Sequence, residues 1–433
     1  MPWVGLRRLW CRGHRNPIEL STNTFVDHAF RRTYGTLVAT LCRRFGTSRL
    51  ESIEDAVQDA LARALELWPS QGVPENQAAW LFRVATNTLL DGMRRDEGRR
   101  RILASEAHHA SLEPFARVEW DDTQRDDDTL RLLFICCDES IPVPSQLVFA
   151  LKTLCGFDVS EIAQRLFTTD ANVYKRLARA RLRLSTLPIE TGALISSQYA
   201  TRVPAVRHVL YIMFTEGYLS TSVAHPLRRE LCDEAIRLSA LLATHAVGDN
   251  PETHALLALM HLHLARWSSR VESSGALLLL QEQDRTQWDA RHIEAGMMWL
   301  AQSAMGTVYS RYHAEAAVAA EHCRARCMAD TNWERVALAY AMLDQMAPSP
   351  LHRLNHALAV AEWQGPDAAL QLLERDIPPE WLQQSYMWSA ALSDLHRRAG
   401  HLEIAAHHRL SALLRAPSAP IRALLERRLG RAE

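Results

Sequence analysis

The stretch DVSEIAQRLFTTDANVYKRLARARLRL, residues 158–184, holds two runs of helical period with only a very short turn between them. In the first run Ile162, Ala163 and Leu166 recur on one side, and Ala163 is small where a second helix would cross closely. Ser160 can cap that helix. Thr168 or Thr169 can cap the second, with Asp170 in a first turn where the helix dipole favours an acid. Val173 and Leu177, an i and i+4 pair, turn the second helix inward. Asn172, Tyr174, Lys175, Arg176, Arg179, Arg181 and Arg183 are then left for the outside.

Five cations follow Asp170 in this stretch and no acid answers them, although the chain as a whole carries a formal net charge of −1. A helix charged only for solubility mixes both signs. The excess therefore asks for an anionic partner, and a helix-turn-helix supplies the geometry for one. The start of its second helix enters the major groove, while arginines further along neutralise phosphates. A solvated basic face on an ordinary helical hairpin would carry the same residues, and spacing alone leaves that reading open.

At 433 residues the chain exceeds the size at which one core keeps growing, so two or three domains are expected. No apolar run reaches the roughly 18 residues a membrane span needs, and LLLL at 277–280 is stopped by Gln281, Glu282 and Asp284. A soluble, cytoplasmic protein is expected. Residues 1–22 have arginines but no apolar core of the signal-peptide kind, and read as a disordered arm or a misplaced start. The eight cysteines are scattered, with Cys136 and Cys137 adjacent and no CxxC pair, so free thiols are expected rather than disulfides or a zinc knuckle.

No HExxH, GxSxG, GxxxxGK[ST] or GxGxxG is present. None of the histidines has metal-site spacing, and His108 and His109 and the pair His407 and His408 read as solvated. The chain is expected to be no enzyme and to carry no cofactor or metal.

Almost every segment shows helical period, and an all-α fold follows. Ser52 can cap a helix running through SIEDAVQDALARALELW to Pro69, with Ile53, Ala56, Val57, Ala60, Leu61 and Ala64 on its apolar face and Glu54, Asp55, Gln58 and Asp59 on the other. A second helix from about Asn76 carries Arg83, Asn87, Asp91, Arg94 and Arg95 as its polar residues. Residues 103–128 turn acidic and lose their period, as a linker does. A compact helical unit over 129–190 follows, and from 195 to 433 the helices are separated by breaks such as APSP at 347–350 and IPPE at 377–380. Gly365 and Gly400 lie about one tetratricopeptide period apart in two loosely similar segments, which points to a helical-hairpin extension.

Taken in order, IEDAVQDAL, AWLFRVATNTLLDGMRR, the acidic linker and VSEIAQRLFTTDANVYKRLARAR resemble bacterial RNA polymerase sigma factors of the sigma-70 family, extracytoplasmic-function type. The likeness continues past residue 190. DDTLRLLFICC, HVLYIMFTEGY, LRRELCDEAIRLSALL, LLLLQEQDRTQWD and APSPLHRLNHALAVAEWQGPDAAL are similar to the subgroup with a long C-terminal helical, tetratricopeptide-like extension, so that the resemblance spans roughly residues 24–425.

The resemblance implies roles that the residues alone do not. Residues 23–102 would be sigma region 2, docking on the clamp helices of the largest subunit of core RNA polymerase through Asp55, Gln58 and Asp59. Arg83, Asn87, Arg94 and Arg95 would bind the minus-ten element, where captured unstacked bases offset the cost of melting, while Trp80 packs in the core. Residues 129–190 would be region 4, contacting the polymerase flap and the minus-thirty-five element, with Asn172 and Lys175 on base edges and Arg176 and Arg179 on phosphates. The acidic linker, with Asp121, Asp122 and Asp126 to Asp128, would cross the RNA exit region.

Two features depart from the subgroup. Asp138 and Glu139 follow the paired cysteines where it usually has His-Pro, which favours packing over a metal or redox role for Cys136 and Cys137, and the first twenty or so residues match nothing in it. In the extension, His208, Tyr211, Glu216, Tyr218, Glu282, Asp284 and Trp288 are candidates either for a site that takes a regulatory partner or ligand or for a polar network that holds helices in register. A rival from another class is a helical-repeat adaptor or ordinary helix-turn-helix regulator that needs no polymerase core.

Overall fold

The structure, a computed structural model, describes residues 33–103, 125–166, 168–186, 196–218, 229–270, 278–375, 377–417 and 419–430. All regular elements among the described residues are helices. The expected N-terminal arm, most of the linker, and His108 and His109 lie outside them. No helix among the described residues is long and apolar enough to cross a membrane. The chain divides into two compact units, residues 1–248 and 249–433.

The first unit begins with α1 (residues 33–45), followed by α2 (Leu50–Gln71) and α3 (Gln77–Leu103). Helix α2 buries Leu50, Ile53, Val57, Ala60, Leu61 and Ala64, an apolar stripe at helical spacing, and packs on α3. Its start differs from expectation. A short 3-10 turn over Thr47–Arg49 leads straight into Leu50, so Ser52 lies exposed in the first turn and caps nothing. Its end also runs beyond Pro69 to Gln71, where Gly72, at φ 86°, donates its N–H to Trp68 O at 3.0 Å. Helix α3 begins close to Asn76 as expected, and Asn76 caps it, its Oδ1 accepting from Ala79 N at 2.9 Å.

Helices α4 (Arg125–Cys136), α5 (Val143–Thr153), α6 (Val159–Arg165) and α7 (Asp170–Thr186) form the next module. Helix α4 takes in the last residues of the expected linker. Asp128 is buried there because Arg43 of α1 pairs with it at 2.8 Å, which a solvated tether would not need. The helix-turn-helix packs through Ile162 and Ala163 on α6 and Val173, Leu177, Ala180 and Leu184 on α7, all buried. Asp158 caps α6 instead of Ser160: its carboxylate accepts from Glu161 N at 2.6 Å, and the Glu161 carboxylate accepts from Asp158 N at 3.0 Å. The Ser160 hydroxyl is engaged elsewhere, donating to Asp170 at 3.0 Å.

Helices α8 (Ser196–Tyr218) and α9 (Arg229–Thr244) belong to this same unit, although the composition places them with the extension. They pack on each other and on α4, and α8 also on α5. Arg202 of α8 is buried, paired with Asp138 and donating to Phe134 O at 3.2 Å. That pairing gives Asp138 a structural partner in the position that departs from the subgroup.

The second unit is a series of helices in which chain neighbours pack on one another, α10 (Pro251–Leu264) to α19 (Ala419–Leu429). Its members are α11 (Ala290–Ser303), α12 (Arg311–Arg324), α13 (Trp333–Met346), α14 (Pro350–Gln364), α15 (Pro366–Glu374), α16 (Glu380–Gln383), α17 (Tyr386–Arg398) and α18 (Leu402–Leu414). Small separate apolar clusters, such as Val318, Val336 and Val360, then Leu354, Leu370 and Leu395, then Ala412, Leu425 and Leu429, join each helix to the next. Stability is then distributed along the series rather than held in one centre. Gly365 and Gly400, at φ 95° and 83°, end α14 and α17 in the left-handed region that favours glycine.

Candidate nucleic-acid interface

Position around α7 sorts its cations. At 3.6 residues per turn, Lys175, Arg179, Asn172, Arg183 and Arg176 fall within an arc of about 100°. Lys175, Arg179 and Arg183 are exposed, while Asn172 and Arg176 are partly covered. The helix starts on Thr169, whose hydroxyl accepts from Asn172 N at 3.3 Å, and the Asn172 side-chain amide donates to Thr168 Oγ1 at 2.7 Å. Asn172 is thus fixed at the helix mouth before any ligand arrives. This arc gathers all four residues expected to meet DNA in the helix-turn-helix, and adds Arg183.

Arg181 does not belong to it. It lies about 180° round the helix from Asn172, on the flank of the buried stripe. Its guanidinium donates to Glu54 Oε2 at 2.5 Å and meets Glu51 at 3.5 Å. The expectation that Arg181 faces outward is corrected, and so is the placing of Glu54 on a solvated face. Glu54 is 2% exposed, and its second oxygen accepts from Thr153 Oγ1 at 2.9 Å. A buried carboxylate needs such partners.

Asp55 and Asp59 are exposed on α2 and Gln58 is partly covered, all three on one side of the helix. Partial burial, then the nearby Glu51, push the Asp55 carboxyl above its usual pKa. Arg83, Asn87, Arg94 and Arg95 are exposed along α3. Asp91 sits among them, accepting from Arg94 through its carboxylate at 3.0 Å and from Arg95 through its carbonyl at 3.2 Å. Trp80 packs edge-on against Trp68 at 5.6 Å, in keeping with a structural use.

Cys136 and Cys137 are buried, and burial pushes both thiols up, Cys137 to about 12. At neutral pH they are packed thiols, not thiolates. No group of three or more metal-ligating side chains converges among the described residues.

The candidates of the extension fall into separate units. His208, Tyr211, Glu216 and Tyr218 are on α8, with Tyr218 stacked on Phe214 at 5.8 Å. In the second unit, Asp284 caps a turn by accepting from Thr286 N at 2.9 Å and Gln287 Nε2 at 3.0 Å, and Glu282 accepts from Leu279 N at 2.9 Å. Buried Trp288 has the guanidinium carbons of Arg266 and Arg285 at 5.3 and 5.1 Å from its ring. Arg285 also donates to His322 O and Ala325 O, at 2.7 and 2.8 Å, closing the end of α12. These contacts hold turns and helix ends in register.

Comparison with known proteins matches three stretches of the chain, one of which runs across the boundary between the two units. Residues 30–100 match sigma-70 region 2, residues 132–184 match sigma-70 region 4, and residues 202–304 match a family of unknown function, DUF6596. The chain is 35% identical over 330 residues to an uncharacterized protein of Rhizobium meliloti (strain 1021), covering 75% of this chain and 77% of that one. It is 26% identical over 194 residues to the ECF RNA polymerase sigma factor SigG of Mycobacterium tuberculosis (strain H37Rv), covering 40% of this chain and 51% of that one. It thus spans about half of SigG. No solved structure matches.

Proposed function

We propose, since this chain belongs to the sigma-70 family as a sigma factor of the extracytoplasmic-function type with a C-terminal extension, that it directs core RNA polymerase to promoters with both of its family modules. Asp55, Gln58 and Asp59 dock on the clamp helices of the largest subunit. Arg83, Asn87, Arg94 and Arg95 take the non-template strand of the minus-ten element, and binding of its unstacked bases offsets the few kcal/mol of unpairing. Asn172 and Lys175 read minus-thirty-five base edges, Arg176 and Arg179 neutralise phosphates, and the region 4 module meets the polymerase flap. Phosphodiester synthesis stays with the polymerase, in the cytoplasm, and residues 103–128 cross the RNA exit region. The extension regulates when this happens, through a partner or ligand.

One observation carries the reading. Exposed carboxylates on α2, exposed polar residues along α3 and a basic arc on α7 occur in the order of the region 2 and region 4 matches, which supports the reading. Transcription in vitro with purified core polymerase tests it. The protein should form a core complex and open a cognate promoter; failure to do either, with the protein folded, favours an adaptor or ordinary regulator.

A further inference from the structure

In the second unit two guanidiniums share one indole ring. The guanidinium carbons of Arg266 and Arg285 lie 5.3 and 5.1 Å from the centre of the Trp288 ring. Both are held by neutral oxygens: Arg266 donates through two nitrogens to Gln283 Oε1, each at 3.2 Å, and Arg285 donates to His322 O and Ala325 O. Among the described residues neither guanidinium has a carboxylate partner. Burial first, then the like charge of Arg266, push the Arg285 guanidinium below its usual pKa, and the field of Asp330 offsets them only in part.

The same place leaves two ring nitrogens unused. Trp288 Nε1 and His322 Nδ1 have no hydrogen-bond partner among the described residues, although the two side chains are only 6% and 7% exposed. A buried N–H that binds nothing has given up its hydration without return. Like charges without a counter-ion in a partly covered place cost in the same way. An anion removes both costs at once. An open cleft of about 310 Å³, lined by Glu321, Arg324, Ala325, Arg326 and Asp330, adjoins the group at Ala325, whose carbonyl Arg285 holds.

We infer that Arg266, Arg285 and Trp288 form a phosphate-binding site, which takes inorganic phosphate or a phosphate monoester at the edge of the indole. Two cations match the charge of nearly −2 that a phosphate carries at neutral pH, and the planar fork of arginine suits its oxygens. The indole N–H supplies a further donor. His322, held down at about 4, is neutral at pH 7 and adds no third charge. The neutral anchors set both guanidiniums before a ligand arrives, which lowers the ordering cost of binding. The inference deepens the ligand part of the proposed function and rests on it for the regulatory meaning, while the binding itself belongs to residues of the second unit.

Calorimetric titration of the full chain at pH 7.5, at an ionic strength fixed with chloride, tests the site with inorganic phosphate and glycerol 3-phosphate as probes. Wild type should bind both, and the tighter of the two names the source. Arg266→Gln removes one charge and should weaken binding by about tenfold or more. Trp288→Phe keeps a ring beside the guanidiniums and removes only the N–H, so it should weaken binding several-fold, and it keeps the test in force if Arg266→Gln fails to fold. No binding by folded wild type, or wild-type affinity in both folded variants, overturns the site. Succinate bound as tightly as phosphate overturns the phosphate assignment. A chain that opens promoters with core polymerase but takes no phosphate leaves the sigma reading standing without the site. Phosphate binding by a chain that never binds core keeps the site and overturns that reading.

Discussion

Arg202 and Asp138 form an ion pair that neither side chain shares with water, each being less than a tenth exposed. The pair ties the first helix of the extension to the turn between α4 and α5. Region 4 is therefore completed by a hairpin that the sequence groups with the C-terminal half.

Removal of Arg202 leaves a buried carboxylate without its cation. Arg202→Ala should destabilise the first unit by about 3–5 kcal/mol, whereas the paired change Asp138→Leu with Arg202→Met should cost much less. Urea unfolding followed by circular dichroism measures both. A truncation after residue 195 should behave worse than Arg202→Ala, because it also uncovers the faces of α4 and α5 that α8 and α9 cover.

Asp55→Arg should weaken association with core polymerase by tenfold or more while leaving duplex binding in place. Arg176→Glu should do the reverse. Core pull-down and fluorescence anisotropy on promoter duplex, run on the same preparations, separate the two surfaces. Equal losses in both assays would mean that the surfaces are misplaced.

Arg179 is expected to meet phosphate, so Arg179→Ala should lower affinity for all duplexes alike and reduce the slope of log K against log salt by about 0.9. Lys175→Ala should instead change the ranking of duplex sequences. Anisotropy titrations at four salt concentrations on two duplexes distinguish the behaviours.

The second unit should weaken in acid. His322 is buried between the fields of Arg266 and Arg285, and burial first, then those arginines, hold its pKa down at about 4. A histidine depressed in the folded state is neutral there while its unfolded form charges below about 6.5. Its contribution to stability is intact above that pH and is lost as pH falls towards 4, by about 1.4 kcal/mol per unit. His261, facing His292 at 2.9 Å and also held at about 4, adds to the slope. Thermal unfolding of the full chain at pH 7.5 and 5.0 should show the loss, and His322→Gln should flatten it.

The helix-turn-helix was legible because its core repeats locally. Val173 and Leu177 are one turn apart, and their inward face follows from spacing alone. Arg181 was legible in part: its angle on the helix sets it opposite Asn172, although counting charges groups it with the other arginines. Glu54 was not. It stands at the margin of the α2 apolar stripe, and its partners lie 99 and 127 residues away, where no local pattern reaches. The choice of Asp158 over Ser160 as cap was equally hidden, since both residue types cap well and only the reciprocal bond from Glu161 separates them. The attachment of α8 and α9 to the first unit has no compositional mark, because amphipathic helices read alike whichever neighbour they cover.

The Asp128–Arg43 pair ties the first turn of α4 to the module that ends at Leu103, so the 21 residues from 104 to 124 connect two points of one packed unit. Closing such a loop costs about 2.7 kcal/mol of chain entropy, and doubling its length would add only about 0.6 kcal/mol. The length of the connection is thus a weak control on whether the modules stay together. Insertions within residues 104–124 should be tolerated, because the modules are held by contacts outside them, Asp128 with Arg43 and Glu54 with Arg181 and Thr153.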